Sequence, residues 1–413
     1  MAYDLARTEP EAAGFSAERL ARLDRHLAER YIEPGRLPGA LLLVHRKGRT
    51  AWLSVQGQAD RERGQPLAAD SLFRIYSMTK PLTALAFMML VEEGAVALDD
   101  PVTRFIPEWA GLGVFAGGVE GRFVTRPPAR PMQMVDLLRH TSGLTYGIQY
   151  RSNVDAVYRE RELGAPSSKL TLEEMIAALA ALPLEFSPGE AWNYSVSIDV
   201  IGHLIGRISG QPFEQFLKAR VLEPLGMDDT GFEVPPGQGR RLAACYTAGA
   251  DGAISLSDDP ETSAYHETPT FFAGGAGLVS TAADYLKFSR MLLNRGELDG
   301  RRLLAPKTLQ LMTANHLPGG SDLASMSKSM FSESTNEGVG FGLGVAVMLD
   351  PARALLPGTP GDFFWGGAAG TYFWVDPAEE LTVVFMTQLL GSPPSLRREL
   401  RTMVYSALME PNL

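Results

Sequence analysis

The chain has a single cysteine, Cys245, among its 413 residues. No intramolecular disulfide can form, and a lone Cys in an Ala-rich segment reads as a small core residue rather than a nucleophile. Apolar residues make up 45% of the chain, yet no run of about 18 is unbroken, so no membrane span is expected. Positive charge is in deficit. A net charge of -10 argues against nucleic acid and anionic membrane surfaces as partners. Histidines are few, His26, His45, His140, His203, His266 and His316, and none has ligand spacing to another. Metal-assisted hydrolysis is therefore not expected. A Gly-x-Ser-x-Gly elbow is missing, which removes the α/β-hydrolase route to an esterase. The opening Met1–Pro10 lacks a basic start followed by an apolar core, so a cytoplasmic protein without a signal peptide is expected.

What is present is an ordinary globular composition, with 21% charged residues and no internal repeat. Ser16 can cap a helix carrying Leu20, Leu23 and Leu27 at helical period, stopped by Pro34-Gly35. Gly39–His45 and Ala51–Gly57 read as a hairpin turned at Lys47-Gly48. Helices are expected after Ser77, over 131–138, from the capping box Thr171–Glu174 to Leu182, over 197–209 and over 212–221. Residues 234–270 read as irregular. Beyond them, Thr281 caps a helix to Asn294, and 340–349, 371–376 and 381–386 read as strands. A helix over 395–409 closes the chain. Residues 317–337, rich in Gly and Ser with Met326 and Met330, read as a mobile flap.

Strands at both ends with helices between imply an α/β (α+β) protein with an antiparallel sheet flanked by helices. The expected division is a discontinuous sheet domain, 1–71 and 271–413, with a mainly helical lobe, 72–270, inserted into it. The active site is expected in the cleft between them.

The chemistry centres on Ser77-Met78-Thr79-Lys80, followed at once by the apolar run 82–90 that ends near Gly94. This places Ser77 in the first turn of a buried helix with Lys80 on the same face. A hydroxyl, an amine and the positive end of a helix dipole suit acyl transfer. Lys80 is the last charge before an apolar helix, where a solvated lysine is less expected. A second element, Tyr194-Ser195-Val196, lies on a loop before a helix. A phenol beside a lysine ammonium is expected to have a lowered pKa and to exchange a proton with a serine. The third, Trp365-Gly366-Gly367-Ala368, lets an edge strand approach a ligand closely. A backbone N–H there, with that of Ser77, forms a candidate oxyanion hole. His140 and Ser142, two residues apart on a turn, read as fixing loop structure.

In this order the motifs resemble the serine β-lactamase and penicillin-binding-protein superfamily, and within it the class C β-lactamase-like carboxylesterases, or family VIII esterases. The resemblance runs from about residue 10 to the end. It is also carried by Leu137–Leu144 and Gly274–Thr281. It implies the β-lactamase/DD-peptidase-like fold, with Ser77 acylated, Lys80 and Tyr194 as the general base and acid, and the N–H groups of Ser77 and Ala368 stabilising the oxyanion. It implies neither metal nor cofactor. Two departures bear on substrate. Val196 stands where penicillin-recognising members have Asn. Trp365-Gly366-Gly367 stands where they have Lys-Thr-Gly, so a cation for an anionic substrate is lost. Trp365, Gly366, Gly367 and Val196 are expected to shape an apolar pocket for a small neutral ester. The alternatives are a β-lactamase with cephalosporinase activity, a D-amino-acid peptidase and an acyltransferase of the same fold. A non-catalytic binding protein is disfavoured because Ser77 and Lys80 are both retained. The oligomeric state is left open.

Overall fold

The computed structural model describes residues 8–328 and 337–412. Five helices frame the site: α1 (Ala17–Leu27), α2 (Thr79–Glu92), α3 (Ser197–Ser209), α4 (Ala282–Leu293) and α5 (Ser395–Ala407). The main sheet draws β1 (Gly39–Arg46), β2 (Arg49–Asp60) and β3 (Gln65–Pro66) from the start of the chain. From the end come β4 (Val339–Phe341), β5 (Ala346–Met348), β6 (Phe363–Gly366), β7 (Tyr372–Asp376) and β8 (Leu381–Met386). The order is β4-β5-β6-β7-β8-β1-β2-β3, antiparallel throughout.

Strand β1 is the seam between the two ends of the chain. Leu43 pairs with Val384 of β8 on one side and with Leu53 of β2 on the other. It is buried along its whole length, so it reads as a continuous apolar run rather than an alternation. Lys47 and Gly48 both have positive φ, 51° and 75°, the geometry a two-residue hairpin turn requires. Successive side chains on β7 face opposite sides of the sheet. Phe373 meets Tyr285 of α4 at 5.0 Å between ring centroids, and Trp374 stacks on Tyr405 of α5 at 6.4 Å. One helix therefore covers each face there. Helix α1 joins α5 through Glu399, which accepts hydrogen bonds from Tyr31 and His26 at 2.7 Å.

The functional end is built by α2, α3 and the loop 274–277. Helix α2 is buried from Thr79 to Leu90, as an apolar helix without a polar face must be. It packs along α3, and the loop wedges between them: Thr83 Oγ1 donates to the Gly274 carbonyl at 2.7 Å.

Two expectations are corrected. Residues 340–349 are not one strand but the hairpin β4–β5, broken at Gly344, whose φ is +85°. Residues 234–270 are not wholly irregular. Cys245–Ala248 and Ile254–Asp258 form a hairpin, and Leu389–Leu390 pairs with its first strand in parallel. The short alternation in Ile254–Asp258 was masked by the Gly- and Asp-rich turn before it.

Candidate active site

Ser77 lies one step earlier than expected, in the tight turn Tyr76–Met78 that leads into α2. Tyr76 has φ +43°, left-handed backbone that costs a non-glycine residue about 1 kcal/mol. The flanking backbone holds it, with Met78 N–H on the Ile75 carbonyl and Ile75 N–H on the Leu278 carbonyl, each at 3.0 Å. The turn leaves Ser77 half-buried while Lys80 is fully enclosed.

Lys80 Nζ stands 3.2 Å from Ser77 Oγ and donates to the Gly275 carbonyl at 2.6 Å. Burial pushes its pKa down to about 7, opposed by the carboxylate of Asp199. The buried phenol of Tyr194 is a hydrogen-bond partner of Ser77, and Lys80 Nζ lies 4.6 Å from its ring centroid. The expectation of a lowered phenol pKa is overturned. Burial raises it, and this outweighs the help from Ser77. At neutral pH the arrangement holds a protonated phenol and an amine poised to accept a proton.

The Tyr194 loop is clamped by the segment 140–145. Asn193 N–H donates to the His140 carbonyl at 2.9 Å, and Val196 N–H to that of Thr145 at 3.2 Å. Ser142, Ser197, Ser195 and His140 continue the clamp as a buried chain of hydrogen bonds at 2.8, 2.7 and 3.2 Å.

Strand β6 is not an edge strand, because β5 and β7 flank it. However, β5 pairs only with Phe363 and Phe364, so Trp365 and Gly366 run on past it. A Cβ on Gly367 would lie 2.1 Å from Thr371 Oγ1 and 2.5 Å from the Ile75 carbonyl. Only glycine lets β6 come this close to the Ser77 turn. Ser77, Tyr194, Trp365, Gly366, Gly367 and Ala368 all line one cavity of about 540 Å³. Val196 stands apart. It is fully buried behind the wall, against Gly164.

Three further residues, Tyr146, Asp199 and Arg397, reach the site without having been singled out in the sequence, and Gly275 joins them from the segment Gly274–Thr281. Tyr146 lines the cavity and donates to Asp199. Asp199 and Gly275 stand behind Lys80, and a carboxylate inside the apolar stretch Ile198–Ile201 was the available signal. Arg397, on α5, lines the cavity and donates to the carbonyls of Gly367 and Thr371 at 2.8 and 3.3 Å. A cation therefore lines the cavity beside the Trp-Gly-Gly motif, carried on a distant helix whose charged sequence gave no sign of it. The expected flap is partly anchored, since Trp192 exchanges backbone hydrogen bonds with Met326 and Lys328. Residues 329–336, including Met330, lie outside the described residues.

A serine, an amine and a phenol converging on a walled cavity form an apparatus for acyl transfer. The family comparison agrees with this class: the β-lactamase family model matches residues 24–407, and the chain belongs to that family. Protein Rv1367c of Mycobacterium tuberculosis is 38% identical over 86% of this chain and 87% of its own length. Esterase EstB of Burkholderia gladioli is 34% identical over 96% of each chain. The solved structure of EstCE1, described as a hydrolase with promiscuous acyltransferase activity, superposes with a TM-score of 0.79 at 29% identity. It covers 94% of this chain and 99% of that one. The protein is a serine hydrolase of β-lactamase-like fold, in the company of esterases and acyltransferases. Among the described residues no helix is long and apolar enough to cross a membrane.

Proposed function

We propose that the protein is a carboxylesterase that hydrolyses short-chain esters through an acyl-enzyme on Ser77. The observation that carries this reading is the 3.2 Å approach of the buried Lys80 amine to Ser77 Oγ at the floor of the cavity. The Gly275 carbonyl takes one N–H of the amine and leaves its lone pair for the serine proton. Ser77 Oγ bonds to the ester carbonyl carbon as its proton passes to Lys80. The N–H groups of Ser77 and Ala368 receive the oxyanion. The C–O bond to the alcohol then breaks, the Tyr194 phenol gives its proton to the departing alkoxide, and Lys80 restores that proton. Water repeats the sequence on the acyl-enzyme and frees the acid. No step calls for a metal or cofactor.

The aromatic walls, with Trp365 beside Tyr194 at 5.5 Å between centroids, suit a small apolar acyl or alcohol group. Acyl transfer to an alcohol is the second reading. It is favoured by the likeness to EstCE1 and needs only that an alcohol take the place of water.

The test is a comparison of wild type and Ser77→Ala on p-nitrophenyl butyrate and on a chromogenic cephalosporin. Ester turnover that falls at least 10³-fold in the variant, with little cephalosporin turnover in either, is expected. Cephalosporin turnover matching the ester rate would put the β-lactamase reading first. Ester turnover surviving in Ser77→Ala would remove Ser77 as nucleophile.

A further inference from the structure

We infer that Asp199 is a positioning residue for Lys80, acting through Gly275 to orient the amine and to set how firmly it holds its proton. The inference rests on the reading of Lys80 as the base.

The geometry is a single hydrogen-bonded line. Asp199 lies in the first turn of α3, fully buried. Its Oδ1 accepts the Gly275 N–H at 2.8 Å, and its Oδ2 accepts the Tyr146 hydroxyl at 3.3 Å. The Gly275 carbonyl in turn accepts from Lys80 Nζ at 2.6 Å. A Cβ on Gly275 would sit 2.8 Å from Asp199 Oδ2 and 2.9 Å from the Tyr146 hydroxyl oxygen. A side chain at 275 would push the carboxylate and the amine apart. A buried carboxylate held this tightly, outside the lining of the cavity, needs a reason to be charged.

Lys80 supplies that reason. The titratable groups facing the amine are the phenols of Tyr194 and Tyr146, at 4.6 and 5.5 Å from ring centroid to Nζ, the imidazole of His140 and the carboxylate of Asp199. Arg397 lies beyond Tyr194. Burial keeps both phenols protonated and the imidazole neutral, so Asp199 is the negative member of the set. Burial alone drives the amine toward its neutral form. The attraction of Asp199 works against this, and Lys80 likewise offsets the burial that raises Asp199. Each charge restrains the other, which leaves the amine able both to take the serine proton and to release it. Without Asp199 the amine would be a weaker base.

The experiment is titration of full-length protein carrying 13C-labelled lysine, with the Lys80 resonance assigned by its loss in Lys80→Arg. In Asp199→Asn the acceptor for Gly275 N–H is kept and the charge is removed. The Lys80 midpoint should fall by about one pH unit or more while the melting temperature stays near wild type. The acid limb of kcat/KM on p-nitrophenyl butyrate should move to lower pH with it. Gly275→Ala keeps the charge but displaces it, and should lower the midpoint in the same direction. An unchanged midpoint in folded Asp199→Asn overturns the inference, whatever the ester rate. Failure of both variants to fold overturns it too, by assigning Asp199 to the fold. Absence of ester turnover in wild type would sink the esterase reading instead, and the titration would still be readable.

Discussion

The buried amine makes the pH dependence of acylation the most informative measurement. A lysine in water loses its proton near pH 10.5, so at pH 7 only about one in 3,000 would be neutral. Enclosed behind Ser77, Lys80 has its pKa pushed down to about 7, and roughly half the molecules carry a competent base at neutral pH. The enclosure is therefore worth on the order of 10³-fold in active enzyme at pH 7. The sign follows directly. The proposed mechanism requires the neutral amine, so kcat/KM on p-nitrophenyl butyrate should climb through pH 7 and level off above about 8. Lys80→Arg, whose guanidinium stays charged, should lose 10²- to 10⁴-fold across the range. Stability should follow the same group. Its folded pKa lies below the unfolded value near 10.4, so unfolding takes up a proton between about pH 7 and 10. The stability of wild type relative to Lys80→Met should then rise with pH across that window and be lost as pH falls through 7. An acid limb near pH 10, or a Lys80→Arg enzyme within tenfold of wild type, would refute the assignment of the amine as base.

Tyr194→Phe should fold normally and lose 10²- to 10⁴-fold in kcat, because the proton for the leaving alkoxide disappears while the ring stays packed against Trp365. Near-full activity in a steady-state assay would show the phenol to be packing only. Gly367→Ala forces a methyl onto the Ile75 carbonyl and Thr371 Oγ1, so it should cost about 1–3 kcal/mol in a denaturant melt and at least tenfold in ester turnover. A variant as stable and active as wild type would mean that β6 does not need glycine there. Arg397→Met should lower kcat/KM on p-nitrophenyl hemisuccinate by about tenfold or more relative to that on the neutral butyrate ester. An unchanged ratio of kcat/KM values would place the guanidinium out of the substrate's reach.

What the sequence made legible is what is local. The period of Leu20, Leu23 and Leu27, the Ser16 cap and the Lys47-Gly48 turn are each decided within a few residues, and each stands where it was expected. Ser77 and Lys80 belong to the same category, since three positions on a helical stretch fix their approach before any tertiary contact forms. The split of 340–349 was not legible. The break at Gly344 is imposed by α2: a Cβ there would meet that of Ala84 at 2.5 Å, and nothing near 344 in the chain announces Ala84. Arg397 illustrates the same limit for charge. Its neighbours on α5 are ordinary helix residues, and only the passage of β6 beneath the helix brings the guanidinium to the site.

The failed expectation for Tyr194 shows why electrostatics is harder to read than shape. The expectation placed the phenol beside a lysine ammonium that would draw off its proton. That argument assumed a charged lysine, and charge is a property of burial. With α2 apolar on every side, the end of the helix has no water to offer Lys80, so burial drives the amine toward its neutral form and, at Tyr194, raises the phenol instead of lowering it. In the mechanism we propose, the same burial orders the two groups: the amine begins the reaction and the phenol completes it. A carboxylate one glycine away, at Asp199, is what keeps that amine from being too weak a base to begin. Ser77 and Lys80, read as nucleophile and base, are written side by side in the chain, but the proton affinity of the amine is lowered by burial and held up by a carboxylate about 120 positions further on, bonded through a glycine about 195 positions on.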